Sequence, residues 1–318
     1  MSASMSALTS APATEAPPQR IVSLLPAATE IVAFLGATEH LVGITHECDY
    51  PDVVASRARV THSAIPHSDN PAEVDAAVRA QSGQGHALFT LDEKRIRALH
   101  PDLLLTQALC DVCAVSETDV RALADRLSPS PRVVTLGGTS LDGVYADIQA
   151  VADAVDAKSD AEELLAGLRD RVKHVHDTLK AAKAPRPRVA LVEWTAPVYL
   201  AGHWGPEQVA RAGGLDVLGT AGAHSVPVSM ETLAAAQPEI VLIAPCGYGL
   251  AAAVREAERL LDDAPWAWLS GRQVWALDAN GLVSRPGPRI VDGIETMARI
   301  FNPIIFSKVD ARHAQRVQ

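Results

Sequence analysis

The chain has 318 residues, of which 48% are apolar and 21% are charged, and its formal net charge is −10. This composition is ordinary for a soluble globular protein, and the length allows two lobes with a core each. The acidic balance argues against a general nucleic-acid binder, and no apolar run reaches the length of a membrane span.

The N-terminal segment predicts the location of the protein. Residues 1–19 are rich in Ala, Ser, Thr and Pro and predict a disordered leader. They lack the basic region and the apolar run of a signal peptide, and they lack a cysteine for a lipid anchor. We therefore expect a cytoplasmic protein, or a periplasmic one if the N-terminus of a longer chain has been trimmed.

Strand and helix signals alternate through residues 20–140, which we predict to form an N-terminal β/α lobe. Apolar, β-branched runs predict buried parallel strands at 20–25, 41–48, 102–107 and 132–138. Pro26 is placed to begin a helix, and Gly36 to end it. Residues 51–90 are rich in Pro, Ser, His and Asn, and they predict either a lid or an irregular connection.

Residues 141–184 predict the link between two lobes. Apolar residues recur at helical spacing from Val144 to Leu179, which predicts one long helix, with a break near Lys158 as the alternative. Further strand signals then mark a C-terminal β/α lobe at 185–303, followed by a tail at 304–318. The predicted fold class is α/β, with two β/α lobes, each around a central sheet, joined by one long α-helix.

The loops that follow the predicted strands hold the candidate ligand-binding residues, because ligands of open α/β sheets bind at the carboxyl ends of strands. None of these loops has the glycine spacing of a phosphate or dinucleotide site, and no nucleophile elbow, close carboxylate pair or Ser/His/Asp set is found. These features predict a non-catalytic protein.

Aromatic residues make up only 4% of the chain, yet five of them fall in these loops, at Tyr50, Trp194, Tyr199, Trp204 and Tyr248. Flat side chains with a polar tip suit a large, planar, partly apolar ligand. The alternative is that they cover the two cores at the lobe junction.

Three polar residues of the same loops are further ligand candidates. His46 and His203 are candidate axial ligands for cobalt or iron, or hydrogen-bonding supports. Arg285 lies with Arg289 in the SRPGPR turn, where an arginine would hydrogen-bond carbonyl or phosphate oxygens. The alternative is that Arg289 caps the neighbouring lobe.

All four cysteines also follow predicted strands, at Cys48, Cys110, Cys113 and Cys246. Cys110-x-x-Cys113 has the spacing of a metal hairpin, and His46 with Cys48 would complete a Cys₃His set for zinc or an iron–sulfur cluster. The alternative is that these cysteines are small residues filling tight loop space.

Several motifs together resemble the cobalamin-binding, periplasmic-binding-protein-like family over about residues 19–302. They are RIVSLLPAATEIVAFLG, LVGITHECDYP, PDLLLTQALCDVCAVS, VEWTAPVYLAGHWGPE, APCGYG and SRPGPR. The HECDYP and CxVCAVS motifs resemble one subgroup of that family. The resemblance implies the class III clamp used for vitamin B12, haem and siderophores, with Trp194, Tyr199 and Trp204 flanking the ligand opposite His46 and Tyr50.

The resulting prediction is a non-catalytic protein that binds a corrinoid such as cobalamin in a cleft between two lobes. Exported members of the family serve ABC importers, so an importer is the partner that the resemblance implies. The alternatives are a zinc or iron–sulfur protein built on Cys48, Cys110 and Cys113, a binder of chelated iron, and an enzyme acting on a cofactor.

Overall fold

The structure, a computed structural model, describes residues 17–66, 68, 70–84, 86–109 and 115–318. Its strands are β1 (Ile21–Ser23), β2 (Leu41–Ile44), β3 (Ala58–Arg59), β4 (Thr61–Ser63), β5 (Phe89–Leu91), β6 (Leu103–Gln107), β7 (Arg132–Leu136), β8 (Arg188–Thr195), β9 (Val198–Leu200), β10 (Leu215–Asp216), β11 (Ile240–Ile243), β12 (Gln273–Leu277) and β13 (Ala314–Arg316). Its α-helices are α1 (Pro26–Phe34), α2 (Pro71–Gly83), α3 (Glu93–Leu99), α4 (Glu117–Asp125), α5 (Leu141–Val155), α6 (Lys158–Ala181), α7 (Gly205–Arg211), α8 (Met230–Ala235), α9 (Leu250–Leu261), α10 (Ala279–Leu282) and α11 (Ile290–Phe301).

The first lobe is built on a parallel five-stranded sheet in the order β3-β2-β1-β6-β7. Its central strands are buried on both faces, which explains why they are continuously apolar in sequence. α1 begins at Pro26 directly after β1, and Gly36 lies just beyond its end with a φ of 75°. Proline is favoured in the first turn of a helix and glycine just past its end, so both predicted helix boundaries are confirmed.

The second lobe has a six-stranded sheet in which β10, β8, β11 and β12 run parallel. β9 folds back antiparallel on β8 as a hairpin, and β13 pairs antiparallel with the edge strand β12. Part of the segment expected to be a tail is therefore a strand of this sheet. The predicted fold class, an α/β protein with parallel central sheets and packed helices, is confirmed.

The link between the lobes is two helices rather than one. α5 ends at Asp156, which adopts a left-handed conformation with a φ of 58°, and α6 begins at Lys158. The left-handed residue directs the Asp156 N–H back to the carbonyl of Ala152, which ends α5. The apolar spacing continues across the break, so periodicity alone predicted a single helix.

The main apolar core runs from the first lobe through the linking helices into the second. It joins Ile31 and Leu105 of the first lobe, Ile148 and Leu168 of the link, and residues such as Ile294 of α11. Separate clusters cover the outer face of each sheet. Because the core is shared, the lobes and their link form one cooperative structure.

The described residues between 51 and 90 form regular elements between β2 and α3. β4 and β5 pair as a small antiparallel sheet, and α2, which connects them, packs against β8 of the second lobe. This segment of the first lobe therefore reaches across to the other lobe. No helix in the described ranges is both long and apolar enough to cross a membrane.

Candidate ligand-binding cleft

The carboxyl ends of strands from the two lobes meet at one junction. The guanidinium of Arg285, in the loop after α10, donates from Nη2 to the carbonyl of Glu47, in the loop after β2, at 3.1 Å. Gly287 of the same loop lies against the start of α1, where an added Cβ would be 3.6 Å from the Ala27 carbonyl oxygen. The segments that follow β1, β2 and α10 therefore meet where the two lobes contact each other.

A charge network connects the lobes at this junction. Glu30 of α1 is 1% exposed and accepts hydrogen bonds from Arg285 Nη1 at 3.1 Å and from Arg289 at 2.8 and 2.5 Å. Arg285 also donates to Asp49 at 2.5 Å, and the Arg289 guanidinium lies 4.0 Å from the centre of the Tyr50 ring. The first lobe, through Glu30 and Asp49, thus binds two arginines of the second lobe.

The structure therefore gives Arg285 protein partners rather than an open face. Its side chain is 9% exposed, and the acidic partners Asp49 and Glu30 raise its pKa against the effect of burial. Tyr50 packs on Arg289 and on the ring of Phe34, whose centre is 6.4 Å away. The ligand-binding roles predicted for Arg285 and Tyr50 stay predictions, and the structure shows both residues in the interlobe contact.

His46 lies beside a narrow pocket at the end of β2. Its backbone N–H donates to Thr61 Oγ1 at 3.0 Å, and its Nδ1 is 2.7 Å from the same oxygen. Glu47 Oε1 is 3.8 Å from His46 Nε2, and the Phe89 ring lies 5.4 Å from the imidazole. Burial lowers the pKa of His46, and the neighbouring His62 and Arg59 lower it further. The imidazole is thereby held neutral at neutral pH.

Cys48 lies behind this loop in the core. It is 1% exposed, and its Sγ is 3.0 Å from Thr29 Oγ1, which donates to Ser23 Oγ at 2.8 Å. Burial raises the pKa of the Cys48 thiol, so the protonated thiol is favoured. A thiol in such surroundings is an unreactive small side chain.

The metal site predicted at His46, Cys48, Cys110 and Cys113 gains no support from the residues that the structure describes. Among the residues that the structure describes, no group of three His, Cys, Asp or Glu side chains could hold a metal ion. Cys110 and Cys113 lie outside the described residues, so their predicted roles rest on the sequence alone. Cys246, the fourth cysteine, is exposed at the end of β11.

The β8–β9 hairpin and the loop after β11 supply aromatic groups from the second lobe. Trp194 and Tyr199 are opposed in the ladder between β8 and β9, and the Tyr248 ring lies edge-on to Trp194 at 5.9 Å. All three side chains are only half-buried. Thr195, on the opposite face of β8, donates to the buried carboxylate of Glu256 at 2.5 Å and so fixes this strand end.

Trp204 and His203 take different positions from those three residues. Trp204 is 8% exposed, and its Nε1 donates to the carbonyl of Val283 at 2.6 Å, so it packs at the lobe junction. His203 has a φ of 49° and pairs with the exposed His224 through Nε2 and Nδ1 at 3.2 Å. Burial, followed by the nearby His224, lowers the pKa of His203.

Sequence reasoning missed Glu30, Thr29 and Thr61. Glu30 had a usable signal, because a carboxylate among the apolar residues of ATEIVAF requires a buried partner. Thr61 had none, since its role depends on β4 lying beside the loop after β2, and a lone threonine in an irregular segment predicts no such contact.

The fold, with two β/α lobes in contact, is that of a two-lobed solute-binding protein. Residues 21–267 match the periplasmic binding protein family, and the chain belongs to this family. The predicted resemblance is thus confirmed for the family, whereas the subgroup with HECDYP and CxVCAVS stays a prediction.

Three similar proteins illustrate the family. The chain is 23% identical over 293 residues to the vitamin B12-binding protein of Vibrio cholerae serotype O1, covering 88% of this chain and 87% of that protein. It is 21% identical over 306 residues to the uncharacterized ABC transporter substrate-binding lipoprotein YvrC of Bacillus subtilis, covering 92% and 82%. The crystal structure of a periplasmic heme binding protein from Pseudomonas aeruginosa matches with a TM-score of 0.71 at 24% identity, covering 94% and 98%.

These similarities correct the predicted location. One relative is a lipoprotein, another is periplasmic, and the family is that of periplasmic binding proteins. They point to a place outside the cytoplasm, so the prediction of a cytoplasmic protein is wrong. The composition of residues 1–19 was a poor guide to location.

Proposed function

We propose that the protein captures a corrinoid in the cleft between its lobes, outside the cytoplasm, and presents it to an ABC importer. The family supports solute binding, and the named functions of the relatives support vitamin B12 and transport. In this proposal the protein performs no chemistry on its ligand, because an importer requires only that the ligand is bound and released.

The observation that carries the proposal is the half-buried aromatic group at the ends of β8, β9 and β11. Trp194, Tyr199 and Tyr248 present ring surface that the core does not fully cover. Half-exposed rings with a fixed geometry suit a large ligand that is apolar on its face and polar at its rim. Glu256, through Thr195, holds the strand that carries Trp194 in place.

Haem is a second candidate ligand, because the periplasmic heme binding protein shares this fold with a TM-score of 0.71. Haem and corrinoids are both planar tetrapyrroles with an apolar face, so the aromatic group fits either. His203, exposed in part beside His224, offers an imidazole to a metal centre in either case.

Replacement of Trp194 tests the proposal. Trp194→Ala removes ring surface from the cleft, so the Kd for cyanocobalamin should rise by about tenfold or more. Isothermal titration of the purified protein measures it. The matched control is Trp268→Ala, because Trp268 stacks on Trp266 in the outer cluster of the second lobe and should leave the Kd unchanged. An unchanged Kd for Trp194→Ala would count against the proposed cleft.

A further inference from the structure

The imidazole of His46 presents one enclosed nitrogen that none of the described residues satisfies. Nε2 has no hydrogen-bond partner among the residues that the structure describes. A buried polar atom without a partner costs free energy, so native structures rarely leave one unpaired. This atom therefore points to a polar group that a ligand brings to the pocket.

The contacts of Thr61 favour the tautomer that carries the imidazole proton on Nε2. Thr61 is 2% exposed, and its Oγ1 accepts the backbone N–H of His46 at 3.0 Å. The hydroxyl still has its own proton to donate, and Nδ1 of His46 lies 2.7 Å away. Donation to Nδ1 satisfies both groups and leaves the proton on Nε2. His46 thus offers an N–H donor to the pocket.

Glu47 places an acceptor next to this donor. Its Oε1 is 3.8 Å from His46 Nε2, so one N–H and one carboxylate oxygen stand side by side. A primary carboxamide is complementary to this pair, because its carbonyl accepts from His46 and its NH₂ donates to Glu47. A carboxylate is not complementary, since it has only acceptors and repels the charge of Glu47.

The pocket admits the end of a substituent rather than a ring. Its volume is ≈ 10 Å³, with Leu24, Pro26 and Phe89 among its walls. Such a space admits the small polar end of a substituent and is too small for a ring. Because the Phe89 ring packs on the imidazole at 5.4 Å, the donor is held in a fixed orientation.

We propose that His46 and Glu47 form a carboxamide-recognition site that selects a ligand with amides at its rim over one with carboxylates. This inference rests on the proposed function and narrows its ligand, because corrinoids carry peripheral carboxamides, whereas haem carries carboxylates. His46 and Glu47 would hydrogen-bond one amide of the rim, while the aromatic group of the second lobe covers the face of the ring.

The test compares cyanocobalamin with its monocarboxylic acids, in each of which one peripheral amide is hydrolysed. For the native protein, at least one of these acids should bind about tenfold more weakly than cyanocobalamin, because it places two carboxylates together. In Glu47→Gln the ratio of the Kd of that acid to the Kd of cyanocobalamin should fall to near one. The side chain of Glu47 is 46% exposed, so the substitution should leave the fold intact. The control is Glu39→Gln, whose side chain is 82% exposed, and it should keep the native ratio.

Replacement of His46 tests the donor separately. His46→Phe keeps an aromatic ring against Phe89 but removes the N–H, so the Kd for cyanocobalamin should rise by about tenfold. Thermal unfolding of each variant confirms that it folds.

The outcomes separate this inference from the proposed function. If cyanocobalamin binds, but the ratio of the Kd of the acid to that of cyanocobalamin is the same in the native protein and in Glu47→Gln, the inference alone is overturned. An unchanged Kd for cyanocobalamin in His46→Phe would also overturn the inference alone. Binding of haemin without cyanocobalamin would overturn both the inference and the corrinoid function and would favour the second candidate ligand, haem. Binding of neither ligand would overturn both.

Discussion

Removal of the charge of Glu30 should destabilise the whole protein. Glu30 is 1% exposed and carries three hydrogen bonds of 2.5–3.1 Å from Arg285 and Arg289. Removing one partner of a buried ion pair costs about 3–5 kcal/mol, because the remaining charges stay buried without compensation. Glu30→Gln keeps one carbonyl acceptor, so we expect a loss near the lower limit, about 3 kcal/mol. For a chain of 318 residues that corresponds to a fall in Tm of about 4–5 °C.

Urea unfolding followed by circular dichroism measures this loss. Because one apolar core runs through both lobes and their link, a single transition is expected. Asp177→Asn is the control, since Asp177 pairs with Lys173 on the surface of α6 and should have no measurable effect. A loss below about 1 kcal/mol for Glu30→Gln would refute the reasoning, because it would mean that the two arginines are solvated without Glu30.

Burial lowers the pKa of His203 below 6.5, so the unfolded chain binds the proton more readily, and the urea midpoint should fall as pH drops below about 6.5. The variant His203→Asn, whose asparagine tolerates the positive φ, should make the urea midpoint less dependent on pH. The control His176→Asn, on the exposed face of α6, should keep the native dependence. The same change of midpoint with pH in both variants would contradict the role given to His203. Iodoacetamide should modify Cys246 at least about tenfold faster than Cys48 in peptide mapping of the native protein, and comparable rates would show that Cys48 is not enclosed. Gly43→Ala should lower the free energy of unfolding by about 1–3 kcal/mol, because the new Cβ has no space inside the first sheet; unchanged stability would show that β2 can shift.

The fold followed from the sequence wherever local pattern and tertiary environment agree. β6 and β11 are buried on both faces, so their continuous apolar runs identified them. The break at Asp156 was predicted only as an alternative, near Lys158, because a left-handed residue that is not glycine leaves little trace in the sequence. β4, β5 and β13 were missed because each is only three residues long and depends on a distant partner strand.

The site was predictable as a set of loops but not as a set of contacts. The strand signals placed His46 and Trp194 at the carboxyl ends of strands, where the structure has them: His46 follows β2 and Trp194 is near the end of β8. The pairing of Arg285 with Glu30 joins residues 255 positions apart, and no local pattern reveals such a partner. Trp204 and Trp194 look alike in sequence, yet only contacts with the lobe junction distinguish the buried ring from the half-exposed one.

The most direct test of the central claim is a spectral titration of the purified protein with hydroxocobalamin and, separately, with haemin. We predict that the corrin bands shift to saturation at one ligand per protein, because aromatic side chains replace water around the ring. A titration in which neither ligand changes its spectrum, confirmed by the absence of binding in equilibrium dialysis, would contradict the account of a tetrapyrrole-binding cleft.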